Sequence, residues 1–100
     1  MYIAFKQPEL EKLYCHSHDI WGLPGAVSKK FFLVMSRLQY LPEYCEQDIT
    51  NNLIFLECLF DDESNEHYFC LGQNWCVFFR IESDADGCFF EVVNLEKRTN

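Results

Sequence analysis

The sequence predicts an α+β fold in one domain: an N-terminal strand, two helices, and then a three- to four-stranded antiparallel meander. Two observations lead to this prediction. Residues 68–94 contain three runs of aromatic and β-branched residues that break where Gly, Asn and Asp gather. Earlier in the chain, apolar residues recur three and four positions apart, which is the period of an amphipathic helix. A chain of 100 residues has the size of a single domain.

The N-terminal elements are a short strand and a first helix. Tyr2, Ile3 and Phe5 suit the strand. Pro8 suits the first turn of the helix, where its missing N–H costs nothing. We expect this helix to end before His18.

The second helix has the clearer pattern. Its apolar stripe, at steps of four and three, consists of Val27, Phe31, Val34, Leu38 and Leu41, with Met35 beside it. Lys29, Lys30 and Arg37 occupy the other side, where a solvated face is favoured over a binding patch. Pro42 should end the helix.

The middle of the chain is less informative. Residues 43–52 are polar and predict a loop. Residues 53–56 fit either a buried strand or the end of a short helix. Residues 61–66 form an acidic run that matches no calcium-loop spacing, so they predict a mobile, solvated loop.

The last strands show a two-residue alternation that assigns their faces. The set expected under the helices is Trp75, Val77, Phe79 and Ile81, and the opposite set is Cys76, Phe78, Arg80 and Glu82. Asp86-Gly87 and residues 72–74 supply the turns between the strands. Arg80 then pairs with Glu82 or Glu91, or contacts an anion on an open sheet face.

The charge disfavours broad binding to DNA or RNA. The net charge is −8, and residues 51–100 have ten acidic and three basic side chains against six and five in residues 1–50. Such a surface repels a phosphate backbone, although screening allows a small basic site to act locally. An acidic surface suits a basic protein partner.

Six cysteines occur without any CxxC pair. The first residues lack the apolar run of a signal peptide and no stretch is long enough to span a membrane, so we expect reduced thiols in a cytoplasmic protein. Cys70 and Cys76 flank the first hairpin turn, and a disulfide between them is the less favoured alternative. Residues 15–18 contain one Cys and two His, but without zinc spacing we expect a polar loop and no metal.

Three segments resemble the RelE/ParE toxin superfamily, and its HigB-like (plasmid maintenance killer) branch in particular. The segment LPGAVSKKF at residues 23–31 is similar to that branch's entry to its second helix. The segment LGQNWCVFFR at residues 71–80 is similar to its central strands, and EVVN at residues 91–94 to its final strand. The order of elements agrees over most of the chain.

The resemblance implies a toxin of a two-gene toxin–antitoxin module, neutralised by a small antitoxin protein. Members of the ribonuclease branch cut mRNA on the ribosome with basic and aromatic side chains, without a metal or other cofactor. That chemistry requires an activated 2′-hydroxyl and cations beside the scissile phosphate. The residues of this chain that fit those roles are Arg80, His67, Lys97 and Arg98. The implied partners are the antitoxin, the ribosome and mRNA, with no membrane.

The chain also departs from that branch. Cys76 follows the tryptophan where the ribonucleases usually have arginine, residues 51–60 lack the expected lysines, and the acidic–aromatic–histidine ending is absent. Each cationic contact contributes roughly 2–4 kcal/mol to such a reaction, so their loss predicts a slow or inactive enzyme. The alternative is a non-catalytic binding module on the same fold, either a gyrase-directed toxin or a protein that binds a basic partner. An unrelated small α+β protein also stays open.

Overall fold

The computed structural model describes residues 2–41 and 57–98, which form two helices and a five-stranded mixed sheet. The elements are β1 (Tyr2–Phe5), α1 (Pro8–His16), α2 (Gly25–Gln39), β2 (Leu59–Asp61), β3 (Glu66–Gly72), β4 (Trp75–Asp84) and β5 (Gly87–Lys97). The predicted α+β class is confirmed. The predictions for residues 43–52 and 53–56 lie outside the described residues.

The strand order is β1-β5-β4-β3-β2. Strands β2 to β5 form the predicted antiparallel meander, in its four-stranded version. Strand β1 adds to the edge of β5 in parallel, with Tyr2 opposite Phe89 and Phe5 opposite Val92. The sheet is therefore mixed, and the meander alone is antiparallel.

The inner face of the sheet, which we define as the face packed against α1 and α2, holds the core. The predicted alternation along β4 is confirmed, because Val77 and Phe79 are fully buried there and Trp75 and Ile81 pack against the same cluster. The other strands contribute Ile3, Phe69, Leu71, Phe90, Val92 and Leu95. Burial of this apolar surface is the main stabilising contribution to the fold.

The two helices cover this face with their apolar stripes. Helix α1 buries Leu10 and Leu13, begins with Pro8 in its first turn, and ends before Ser17, whose φ is 54°. Helix α2 buries Val27, Phe31, Val34, Met35 and Leu38, as predicted. Leu41, the last residue of the predicted stripe, lies beyond the helix and is only partly buried. The three basic side chains of α2 are exposed. It ends at Gln39, so the helix stops before Pro42.

A single carboxylate organises the connection between the helices. The Oδ1 atom of Asp19 accepts hydrogen bonds from the backbone N–H groups of Trp21 (2.8 Å) and Gly22 (3.0 Å). Its Oδ2 atom accepts one from the N–H of Leu23 at 2.7 Å. The short loop thereby satisfies three of its own donors and holds the start of α2 close to the end of α1.

Both predicted hairpin turns occur. Gln73 and Asn74 have φ values of 51° and 68°, the pair of positive φ angles that a type I′ turn between two strands requires. The β4–β5 connection ends at Gly87, with a φ of 122°. At this position the freedom of glycine is used, because a side chain would strain the backbone there.

The prediction of a solvated loop for the acidic run at residues 61–66 agrees with the exposed turn at residues 62–65 but is wrong for Asp61 and Glu66, which lie on strands. Asp61 ends β2, Glu66 begins β3, and the two residues face each other in the antiparallel ladder. Between them lies a tight turn that includes Asn65 with a φ of 57°. The run therefore forms a hairpin, and its two end residues are held on the sheet.

A β-bulge adjusts the β4–β5 ladder near its middle. Phe78 pairs with Asn94 and Phe79 with Val92, so Val93 is the extra residue on β5. The Nε2 group of Gln7 donates a hydrogen bond of 3.1 Å to the carbonyl oxygen of Val93. The segment before α1 is thereby tied to the far end of the chain.

Phe79→Ala should lower the free energy of unfolding by about 3–5 kcal/mol, because a large cavity replaces a fully buried ring. Phe60→Ala is the matched control, since Phe60 is 48% exposed on β2 and its truncation should cost clearly less. Urea denaturation followed by circular dichroism measures both variants. Equal losses in the two variants would contradict the assignment of Phe79 to the centre of the core.

Candidate functional site on the outer face of the sheet

The outer face, which we define as the sheet face opposite α1 and α2, contains both of the arginines predicted as site residues. The alternation along β4 puts Arg80 on this face, together with Cys76 and Phe78. Arg98 follows directly after β5, and its guanidinium lies over the same face. The structure thus brings Arg80 and Arg98 to one surface.

Arg80 forms an ion pair with Glu66, at an Nη2–Oε2 distance of 3.0 Å. Of the two alternatives predicted for Arg80, the ion pair is observed, but its partner is Glu66 and not Glu82 or Glu91. Glu66 is only 7% exposed, whereas 39% of the Arg80 side chain is exposed. A buried carboxylate without a partner costs several kcal/mol, so Arg80 is needed to satisfy Glu66.

Arg98 lies across two aromatic rings and between two carboxylates. Its guanidinium carbon is 4.9 Å from the ring centre of Tyr68 and 4.8 Å from that of Phe78, which are cation–π distances. Its Nη2 atom is 3.1 Å from Asp61 and its Nε atom 3.7 Å from Glu96. The side chain therefore ties the end of β5 to the edge strand β2.

The electrostatic environment of Asp61 reflects this contact. Partial burial acts to raise the pKa of its carboxyl group, but hydrogen bonds from the Glu63 backbone N–H, the Ser64 side chain and Arg98 outweigh it. The pKa of Asp61 is consequently lowered from its ordinary value of 3.8. The carboxylate stays ionised over the whole neutral range and keeps Arg98 in place.

His67 and Lys97, the other two predicted site residues, lie on the inner side of the sheet. His67 is opposite Phe79 in the ladder, and its ring is 4.9 Å from that of Phe60 and 5.7 Å from that of Phe79, measured between ring centres. Lys97 is opposite Trp75, whose side chain packs against the core, and Lys97 itself is exposed. The four residues therefore do not converge on one point.

Carboxylates outnumber cations on the outer face. The strand carboxylates assigned to it by the ladder pairing are Asp61, Glu66, Glu82, Asp84, Glu91 and Glu96. Two arginines oppose them, and those arginines pair with Asp61, Glu66 and Glu96. Within residues 2–41 and 57–98, the remaining three form no ion pair, so this face presents uncompensated negative charge.

A recess lies at the end of the β4–β5 hairpin. Its volume is about 220 Å³, and its lining includes Tyr2, Phe89, Asp84 and Asp86. The two aromatic rings meet edge to face with centres 6.0 Å apart, and Tyr2 is 67% exposed. Aromatic faces beside carboxylates suit a cationic group, which gains both cation–π and ionic contacts.

Sequence reasoning missed the partners of the arginines. Tyr68 and Phe78 stack across β3 and β4 with ring centres 5.1 Å apart, and this pair forms the surface under Arg98. The alternation along β4 signalled Phe78, but Tyr68 needed the register of β3. Asp61 and Glu66 needed the strand pairing of a segment that composition alone assigned to a loop.

The described part of the chain contains neither a metal-binding cluster nor a membrane-spanning helix. In that part, no group of three or more His, Cys, Asp or Glu side chains is arranged to hold a metal ion. Neither of its two helices combines the length and the apolar character needed to cross a membrane.

Comparisons of the chain with known protein families, with curated proteins and with solved structures found no significant match. The residues of the outer face are therefore the basis for a functional proposal.

Asp61→Asn should destabilise the protein at neutral pH but not in acid. Because the folded-state pKa of Asp61 is below the ordinary 3.8, its carboxylate adds stability above that pH, and this is lost as the pH falls through the folded-state pKa. Urea denaturation of both proteins between pH 7 and strongly acidic pH should show a difference that shrinks below about pH 4. Asp62→Asn, in the exposed turn, is the control. A difference independent of pH would contradict the ion pair with Arg98.

Proposed function

We propose that this protein is a binding module whose outer sheet face engages a basic protein partner. The observation behind this proposal is the excess of carboxylates on that face, where both arginines are already paired with acidic side chains. A phosphate ligand would have to displace Glu66 or Asp61 from an arginine. A lysine- or arginine-rich segment would meet an excess of carboxylates and would not need to break either ion pair.

The carboxylates without ion pairs indicate where such a partner would bind. Glu82 and Asp84 are exposed on the second half of β4, and Glu91 lies opposite Arg80 on β5. The recess beside Tyr2 and Phe89 lies at the same end of these strands. A cationic side chain of the partner that entered the recess would be held between aromatic rings and the carboxylates of Asp84 and Asp86. We place this function in the cytoplasm, in keeping with the free thiols of the described cysteines.

Glu82→Gln combined with Glu91→Gln should weaken binding of a short, fluorescently labelled lysine peptide about tenfold, as expected for two contacts of about 0.7 kcal/mol each. Fluorescence anisotropy at low ionic strength measures the affinity, which should fall further as salt is added.

The matched control is Glu9→Gln combined with Glu11→Gln on α1, which changes the net charge equally but away from the outer face. This variant should retain most of the affinity. Equal weakening of both double variants would mean that only the net charge of the protein matters, and the proposed surface would be rejected.

A second candidate function is a RelE/ParE-type toxin that cuts mRNA on the ribosome, restrained by an antitoxin. The observation that favours it is Arg98 above Tyr68 and Phe78, because basic and aromatic side chains together suit an RNA nucleotide. In this function Arg98 and Arg80 would exchange their carboxylate partners for phosphate oxygens, and the fold would be the one that the sequence resemblance implies.

Under this second candidate, induced expression of the chain in a bacterium should rapidly stop protein synthesis, and Arg98→Ala should abolish the arrest. Arg37→Ala on α2 is the control and should keep it, since Arg37 lies away from the outer face. Pulse labelling of protein and DNA synthesis makes the measurement. No fall in protein synthesis would exclude the nuclease, and a fall in DNA synthesis alone would instead indicate a gyrase-directed toxin.

A further inference from the structure

Two cysteine thiols face each other across the β3–β4 hairpin. Cys70 and Cys76 are partners in the antiparallel ladder, and their Sγ atoms are 4.0 Å apart. Paired Cα atoms in antiparallel strands are about 4.5–5.5 Å apart, which is within the range that a disulfide spans. A disulfide between them therefore needs rotation of the side chains but no displacement of the strands.

The two thiols differ in their access to solvent. Cys70 is exposed, whereas Cys76 is 4% exposed. A reagent from solution consequently meets Cys70 first, and Cys76 then reacts with the disulfide formed at the Cys70 sulfur. Exposed and buried thiols in contact provide the two roles that thiol–disulfide exchange requires, an attacking thiol and a resolving thiol.

We propose that Cys70 and Cys76 form a redox modification site, which takes a small disulfide such as glutathione disulfide and becomes an intramolecular disulfide. This inference is independent of the proposed function, because it depends only on the two thiols and the hairpin between them.

The reaction has two balanced steps. The thiolate of Cys70 attacks one sulfur of glutathione disulfide, so that a Cys70–glutathione disulfide forms and one glutathione thiolate leaves. The thiolate of Cys76 then attacks the Cys70 sulfur, the Cys70–Cys76 bond forms, and the second glutathione leaves as a thiolate that takes up a proton. The protein loses two hydrogen atoms, and one glutathione disulfide is reduced to two glutathione molecules.

The environment of Cys76 controls the second step. In the reduced protein, burial, helped by the neighbouring Cys70 thiol and by Glu96, raises the pKa of this thiol to about 11, whereas Arg98 opposes the shift. Once Cys70 carries glutathione its own contribution is lost, but burial, the largest cause, still holds the pKa above its ordinary value. Since the thiolate is the nucleophile, ring closure is slow at neutral pH and accelerates in alkali. The mixed disulfide on Cys70 should therefore accumulate before the intramolecular disulfide appears.

The test is incubation of the reduced protein with glutathione disulfide, followed by mass spectrometry of chymotryptic peptides. Cleavage after Leu71 or Trp75 separates the two cysteines, so a linked peptide pair identifies the disulfide directly. We expect the glutathione adduct of Cys70 to appear first and the linked peptide pair afterwards. As long as the pH is below the pKa of Cys76, each increase of one pH unit should make ring closure about tenfold faster. A reducing dithiol should reverse the product.

Two variants and one internal control distinguish this site from general thiol reactivity. In Cys76→Ser the reaction should stop at the mixed disulfide, so that glutathione stays attached to Cys70. In Cys70→Ser the linked peptide pair should not form. Cys15, an exposed thiol on α1, should take up glutathione without closing a ring. The proposal is overturned if no linked pair forms, if Cys76 takes up glutathione as fast in Cys70→Ser as Cys70 does in the wild type, or if ring closure is independent of pH.

Discussion

The packing of Phe79 beneath the helices determines which side chains of the sheet face the core and which face outward. Its ring centre is 5.5 Å from that of Phe69 and 5.3 Å from that of Phe90, so it joins three adjacent strands within the core. A slip of one residue would turn this ring outward and bring its charged neighbour Arg80 into the core. The cost of that exchange fixes the register, and the register decides which side chains the outer face presents.

Electrostatics on the outer face follows from this arrangement. Arg80 and Arg98 form ion pairs with carboxylates on the β2–β3 hairpin, so both guanidinium groups of this surface stabilise the fold. The same residue types that a nuclease would need are thereby engaged, and the free charges are negative. An anionic ligand on this face would have to compete with the acidic hairpin for the two guanidinium groups. A basic partner avoids that competition.

Much of the fold could be predicted from local pattern, because α2 and the last three strands follow clear periods of apolar residues. Asp61 and Glu66 were misassigned because a solvated loop and a charged hairpin have the same composition, although Asn65 is a residue type that tolerates the positive φ of a hairpin turn. Glu66 as the partner of Arg80 could not be predicted, because contacts between distant segments depend on a register that no local pattern encodes. The facing positions of Cys70 and Cys76 were predictable, since a short turn lies between them.

The parallel pairing of β1 with β5 has a consequence for the order of events during synthesis. Tyr2 and Phe89 are neighbours in the sheet, although nearly the whole chain separates them. On a translating ribosome β1 emerges before the other four strands, whereas its hydrogen-bonding partner β5 is the last of the five to be made. Before β5 is available, the core residue Ile3 on β1 has no neighbouring strand to pair with. The complete sheet can therefore form only after β5 has left the exit tunnel. Completion of the sheet therefore waits for the synthesis of β5, however early the helices form.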